Sequence, residues 1–257
     1  PDVLSCDDNN VYMRSQPFDL EGNRTEIITP RKYDAQTGET THLFSPTGFL
    51  DDAWWHRSYW IWGQSFIGGA GGWYLAAYQA PAGRILAVDD STIYGFGRLP
   101  LRFSGTPNTY HLFACDKEPE LVNPNPNQPP RRQGTSVYGK VIPTRLTYHW
   151  SESVPFLVRA IVATPETLFV AGPPEVTDEI EAYGRYDGPE IEARMAEHVA
   201  AFEGQKGAVL MAVSKADGTR QADYRLDSAP VFDGMAAAGG RLYLATIDGD
   251  VLCLAAE

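Results

Sequence analysis

The chain is short of three things: cysteine, basic charge and long apolar runs. Its 257 residues hold only Cys6, Cys115 and Cys253, far apart, with no CxxC pair and no Cys/His cluster. An odd number leaves at least one thiol unpaired, and nothing in the spacing suits a metal site. Each lies in a strand pattern, where a small buried thiol is expected. Thirty-three acidic residues against 21 basic ones leave a net charge of -12, which repels phosphate backbones and anionic lipid surfaces. No nucleic-acid partner is expected. No apolar run approaches the roughly 20 residues that cross a bilayer, and the first residues lack the zones of a signal peptide. No membrane span is expected either. Because a strand pattern starts almost at Pro1, the expectation is that a signal or upstream segment precedes it.

What the chain does have is apolar mass and a repeat. With 43% hydrophobic and 21% charged residues it has the composition of a globular protein with a sizeable core. Four stretches share one pattern, a short apolar strand, a tight turn, then an apolar residue followed by an aromatic. They run from Val3 to Tyr12, Ile85 to Tyr94, Ala160 to Phe169 and Met235 to Tyr243. A unit this small cannot bury its apolar face alone, so reuse implies stacking. The aromatics Tyr12, Tyr94, Phe169 and Tyr243 recur every 74 to 82 residues. A four-stranded propeller blade needs only about 40 to 50, so every interval carries an insertion.

The expected fold is therefore all-β, a partial β-propeller of about four blades forming one domain over 1–257. The blade units are 1–44, 84–150, 156–226 and 230–257, with insertions at 45–83, 118–140 and 172–207. A shorter insertion is expected from Ser15 to Pro30, between the turn of the first unit and its later strands at Arg31 to Ala35 and Thr41 to Phe44. Asp217-Gly218 is a strong hairpin signal in the third unit. The fourth unit stops after its third strand, Val251 to Leu254. Its sheet edge is expected to be covered by upstream blades of a longer ring, by another chain or by a second copy.

The Asp34-Ala35-Gln36-Thr37-Gly38 turn, the Ala216-Asp217-Gly218 turn and the closing run from Gly240 to Leu254 carry a resemblance. They are similar to the PQQ-like, or quinoprotein dehydrogenase-like, propeller repeat. The segment Asp51-Asp52-Ala53-Trp54-Trp55-His56-Arg57 also resembles inserts in large exported bacterial proteins of that family. The resemblance implies the C-terminal portion of such a protein and an extracytoplasmic, periplasmic or secreted location. It is specific for fold and not for chemistry. The family's quinone-dependent enzymes are expected to carry neighbouring cysteines, calcium-binding acidic and amide residues and a tryptophan under the quinone. No adjacent cysteines exist in this chain, and the other ligands find no match, so neither quinone nor any other cofactor or metal is expected.

The densest chemical feature is the run from Asp51 to Trp62, which holds four of the six tryptophans. Aromatic faces with polar neighbours suit sugar rings, and Asp51, Asp52, Trp54, Trp55, His56, Arg57, Tyr59 and Trp60 form the candidate ligand site. His56 could serve as a general base, with Asp51 or Asp52 setting its tautomer. The plainer reading, that the rings plug the propeller mouth or pack the insertion onto the blades, is preferred because large aromatics are usually buried for their area. Gly68-Gly69-Ala70-Gly71-Gly72 lacks the lysine and Ser/Thr of a phosphate loop and reads as turning backbone.

Pro189 to Glu203 is a helix with Ile191, Met195, Val199 and Phe202 on its apolar face, and His198 is an ordinary surface histidine beside that stripe. His42, His111 and His149 lie in strands without ligand spacing. The pairs Asp7-Asp8 and Asp89-Asp90 sit in the repeated turn, where aspartate bonds local backbone rather than catalysing. Two functions remain open: a non-catalytic binding or interaction scaffold, and a polysaccharide-processing enzyme using the aromatic insertion. The scaffold is the leading reading.

Overall fold

Short apolar stretches joined by tight polar turns satisfy their backbone groups most simply by pairing with the next stretch in sequence. The computed structural model describes residues 3–13, 16–25, 42–45, 60–63, 77, 80–99, 109–117, 120–121, 144–177, 182 and 188–255. These are mostly β, arranged in antiparallel sheets.

The first sheet is β1 (Leu4–Cys6), β2 (Asn10–Met13) and β3 (Gln16–Asp19). The second is β4 (His42–Phe44), β5 (Trp60–Gly63) and β6 (Ala82–Gly83). The third takes β7 (Ile85–Val88), β8 (Thr92–Arg98), β9 (Tyr110–Asp116) and β12 (Tyr148–Glu152). Between its last two strands β10 (Glu120–Leu121) and β11 (Thr144–Arg145) form a separate ribbon. The fourth sheet is β13 (Ala160–Ala163), β14 (Thr167–Gly172), β15 (Ala208–Ser214) and β16 (Arg220–Leu226). The fifth is β17 (Pro230–Ala238), β18 (Arg241–Thr246) and β19 (Val251–Ala255). In each of the five, spatial order follows chain order.

Two expectations change. Thr41 to Phe44 does not extend the first sheet, because β4 pairs with β5 inside the stretch expected as an insertion, Leu43 facing Trp62. The shorter expected insertion likewise contains β3, whose Pro17 faces Tyr12 across the ladder. Proline has no amide to donate and suits an edge strand, the position β3 holds among the described residues. Arg31 to Ala35 lies outside the described residues.

The repeated turn works through its first residue. Asp7 Oδ1 accepts the amides of Asn9 and Asn10, each at 2.8 Å. Asp89 Oδ1 takes those of Ser91 at 3.1 Å and Thr92 at 2.8 Å. These are the local bonds for which turn aspartates are selected. Tyr12, the aromatic that closes the first unit, also donates its hydroxyl to Asp7 at 2.7 Å.

Alternation along the strands gives every sheet two faces, and successive sheets pack opposite kinds together. Tyr12 points at the second sheet, where it stacks on His42 with centroids 3.8 Å apart, and Ser5 donates to the carbonyl of Leu43. On the third sheet Ile93, Phe113 and Cys115 meet Trp62 of the second. Tyr94, Phe96, Leu112 and Trp150, on its other face, join Ile161, Leu168, Val170 and Met211 of the fourth in the main core. Leu210 and Ala171 of the fourth then meet Leu242 and Leu244 of the fifth. The first strands run beside one another, β7 against β13 and β13 against β17, and β1 lies against β4.

Helix α1 (Pro189–Phe202) begins with proline in its first turn and ends near Gly204. Gly204 has φ +90°, its amide donates to Ala201 O at 2.9 Å, and Gln205 N reaches Ala200 O at 3.0 Å. A Cβ at this position would be strained by that φ and would run into Ile247 Cδ1. Gly204→Ala is expected to cost about 1–2 kcal/mol in a urea melt; an unchanged midpoint would contradict this cap. Arg159 closes the same helix end, donating to Phe202 O at 3.1 Å with its guanidinium 4.7 Å from the Phe202 ring.

The buried stripe of α1 is Ile191, His198 and Ala201, while Val199 is exposed. His198 is thus no surface histidine. Its Nδ1 accepts the amides of Val176 and Thr177, both at 3.4 Å, two donors that burial would otherwise leave costly. Burial lowers its pKa, which keeps the ring neutral and able to accept. The thiols also depart from expectation: Cys115 is buried, but Cys6 and Cys253 are exposed, and all three are free.

Candidate functional site

Of the eight residues expected at the aromatic site, Asp51, Asp52, Trp54, Trp55, His56, Arg57 and Tyr59 lie outside the described residues, as does the glycine-rich run at 68–72. Trp60 is described. It opens β5, faces Gly83 across the ladder and is half-buried. Two residues along the same strand, Trp62 shares its face and packs on the third sheet.

What the structure brings together around that packing face is a set of polar groups that sequence reading did not join. His111 on β9 is 2% exposed, and its Nδ1 lies 2.7 Å from Ser151 Oγ on β12. Its ring stacks on Phe113 at 4.9 Å and tilts against Tyr148 at 5.2 Å. Its Nε2 is buried without a hydrogen-bond partner among the described residues. Burial drives its pKa down to about 4, so the imidazole is neutral at pH 7. A serine beside a histidine suggests an activated nucleophile, but a base this weak removes little of a serine proton at neutral pH. The pair holds β12 onto β9. Tyr148 donates to Ala77 O at 2.6 Å, and burial raises its phenol pKa.

Two lysines have matching roles. Lys117 follows β9 and Lys215 follows β15, each three residues beyond the alanine that faces the repeated aromatic, Ala114 opposite Tyr94 and Ala212 opposite Phe169. Lys117 donates to Asp89 O at 3.0 Å and Lys215 to Thr164 O at 2.9 Å, the same turn position in consecutive sheets. Each ammonium also reaches back over an aromatic of the preceding sheet, Lys117 at 4.6 Å from the Trp62 centroid and Lys215 at 5.0 Å from Tyr94. Lys215 adds an ion pair with Asp89 at 3.0 Å. The lysines therefore clamp one sheet to the next. The residue types are visible in the sequence, but a lysine just after a strand ordinarily reads as a solvated end.

On the other side of the third sheet a cleft of about 290 Å³ opens between it and the fourth, lined by the buried Leu112, Val154 and Met211 and by Glu152, Asp217 and Arg220. Arg220 is already paired with Asp223, and Asp217 Oδ1 accepts the amide of Thr219 at 3.0 Å. Asp217 and Arg220 are thus engaged within the protein. Asp233, in the irregular part of β17, has φ 57° and donates its amide to Arg159 O at 2.8 Å, which ties the fifth sheet to the strand entering the fourth.

Among the described residues no group of three or more His, Cys, Asp or Glu is placed to hold a metal ion. No described helix is long and apolar enough to cross a membrane. No family model matches the chain, and no curated protein is significantly similar to it.

Proposed function

We propose that the chain is part of a β-propeller of the PQQ-like kind, located outside the cytoplasm, and that it works as a non-catalytic scaffold binding a ligand or a protein partner. The observation that carries this reading is the face-to-face succession of meander sheets with their first strands side by side, β7, β13 and β17. Such an arrangement gathers inner strands about an axis and leaves loops at the two ends to carry recognition. The closing strand β19 lacks the fourth neighbour that the third and fourth sheets possess among the described residues. Further β-structure, from the same polypeptide or another, covers it. The net charge of -12 directs recognition away from nucleic acid and towards neutral or basic partners.

The scaffold's candidate ligand site is the aromatic run from Asp51 to Trp60, with carbohydrate the fitting class. Trp54→Ala, Trp55→Ala and Trp60→Ala together are expected to abolish retardation in polysaccharide affinity gels, by at least about tenfold in dissociation constant. Unchanged retardation by a glycan the parent chain binds would remove the sugar site. Turnover of that glycan, lost in His56→Ala with binding retained, would replace the scaffold by an enzyme.

A further inference from the structure

We infer that the cleft between the third and fourth sheets receives an arginine side chain from an extended segment of a partner protein, the guanidinium on Glu152 and the aliphatic stem on Val154 and Met211. This contact is separate from the aromatic run at Asp51 to Trp60 and does not depend on it.

The Asp217-Gly218 hairpin shapes the cleft. Gly218 is buried at φ +76°, so close to β12 that a Cβ there would stand 2.8 Å from the Trp150 ring and 3.1 Å from Glu152 Cγ. Trp150 fixes the same contact by donating Nε1 to Lys215 O at 2.9 Å. The turn is thus held against β12, and beside it the floor is Leu112, Val154, Met211 and Val213, all buried. Glu152 faces Leu112 across the ladder, which puts its side chain on the floor's side of the sheet. Among the described residues β12 and β16 are edge strands, and the cleft opens between them, where a passing polypeptide can lower one side chain without inserting its backbone.

Charge selects the occupant. Elsewhere on this sheet interface the chain supplies its own cation, Lys215, which pairs with Asp89 and covers Tyr94. At the cleft the cation is Arg220, and Asp223 already holds it. Glu152 is exposed and makes no hydrogen bond or ion pair among the described residues. Asp217 adds a second negative charge, its carboxyl held below the usual range by the amide of Thr219 and the hydroxyls of Ser214 and Thr219. The net charge of -12 gives the same preference at longer range. A volume of about 290 Å³ is at the lower limit of small-molecule pockets and suits one long side chain. A guanidinium fits better than an ammonium. It meets a single carboxylate through two parallel N–H donors, gives up less hydration, and leaves its stem on the apolar floor while the head stays at the wet rim.

NMR of the full chain labelled at its four methionine methyls tests this, since Met211 lies on the floor and Met13, Met195 and Met235 do not line the cleft. The probe is a blocked pentapeptide with one central arginine among glycines. Titration to about 10 mM should shift the Met211 methyl saturably and leave the other three in place. Glu152→Gln, an exposed substitution that leaves the control methyls unmoved, should weaken binding at least about tenfold, and salt raised to about 0.5 M should weaken it severalfold. The lysine peptide should bind more weakly than the arginine peptide, and the uncharged citrulline peptide should give no shift. No movement of Met211, an equal shift with citrulline or leucine at the centre, or an unchanged titration in Glu152→Gln would overturn the inference. Free arginine binding as tightly as the peptide would also overturn it, by assigning the cleft to a small molecule instead of a partner protein.

Discussion

Lys215→Met is expected to lower the stability of the chain by about 2–3 kcal/mol at pH 7. One substitution removes the ion pair with Asp89, the hydrogen bond to Thr164 O and the cation over Tyr94. It also leaves the partly buried carboxylate, still bonded by the amides of Ser91 and Thr92, without its cation. Burial opposes ionisation of Asp89, but the hydrogen bond from Lys215 and the two amides outweigh it and hold its pKa below the ordinary value. A carboxyl depressed in the folded state contributes stability above its unfolded pKa of about 4, and that contribution disappears as pH falls through the folded value. The gap between parent and variant should therefore be widest near neutrality and narrow below about pH 4. Urea midpoints across that range measure it. A constant gap would mean that the pair with Asp89 contributes nothing.

His111 should produce the second large effect, with the opposite origin. Its folded pKa of about 4 lies below the unfolded value of 6.5, so the unfolded chain binds the proton more readily between those limits. Above about pH 6.5 the residue has no pH-dependent effect; on descent to pH 4 it withdraws up to about 3 kcal/mol. His198, lowered by burial too, acts in the same direction. His111→Gln can still bond Ser151 but cannot titrate, and its stability should decline more gently over that interval than the parent's. Parallel stability profiles for the two proteins would show that His111 is not a buried neutral imidazole.

These consequences follow from packing that the sequence shows only in part. The repeated aromatic and the turn opened by Asp7, Asp89 and Thr164 are local signals, carried by bonds that span two or three residues, and they locate the first two strands of the first, third, fourth and fifth sheets. The second sheet is different. Its strands are separated by long connections, β6 has only two residues, and neither a hairpin dipeptide nor the repeated turn marks them. Gln16–Asp19 is hidden for another reason, since Pro17 argues against a strand unless the strand is known to be an edge. Helical periodicity found α1 but rotated its buried side towards Val199. What places His198 inside is the need of two amides on a distant segment for an acceptor, which no helical wheel contains.

The candidate site divides the same way. Residue type alone singled out the tryptophans, of which Trp60 falls on a strand and shares a face with Trp62. The clamp was written in the sequence as two lysines at one register position, yet its meaning appears only when the following sheet is laid on the preceding one. His111 and Ser151 are forty residues apart, joined by a strand pairing that crosses the Pro/Asn-rich insertion.

The account depends most on the third and fourth sheets each being held to the one before it by the same device. Double-mutant cycles measure that directly, Lys215→Met with Tyr94→Leu and Lys117→Met with Trp62→Leu, each read from urea unfolding. Both cycles should return favourable couplings of about 0.5–2 kcal/mol, of one sign and similar size. Couplings indistinguishable from zero in both would contradict the stacking of these sheets.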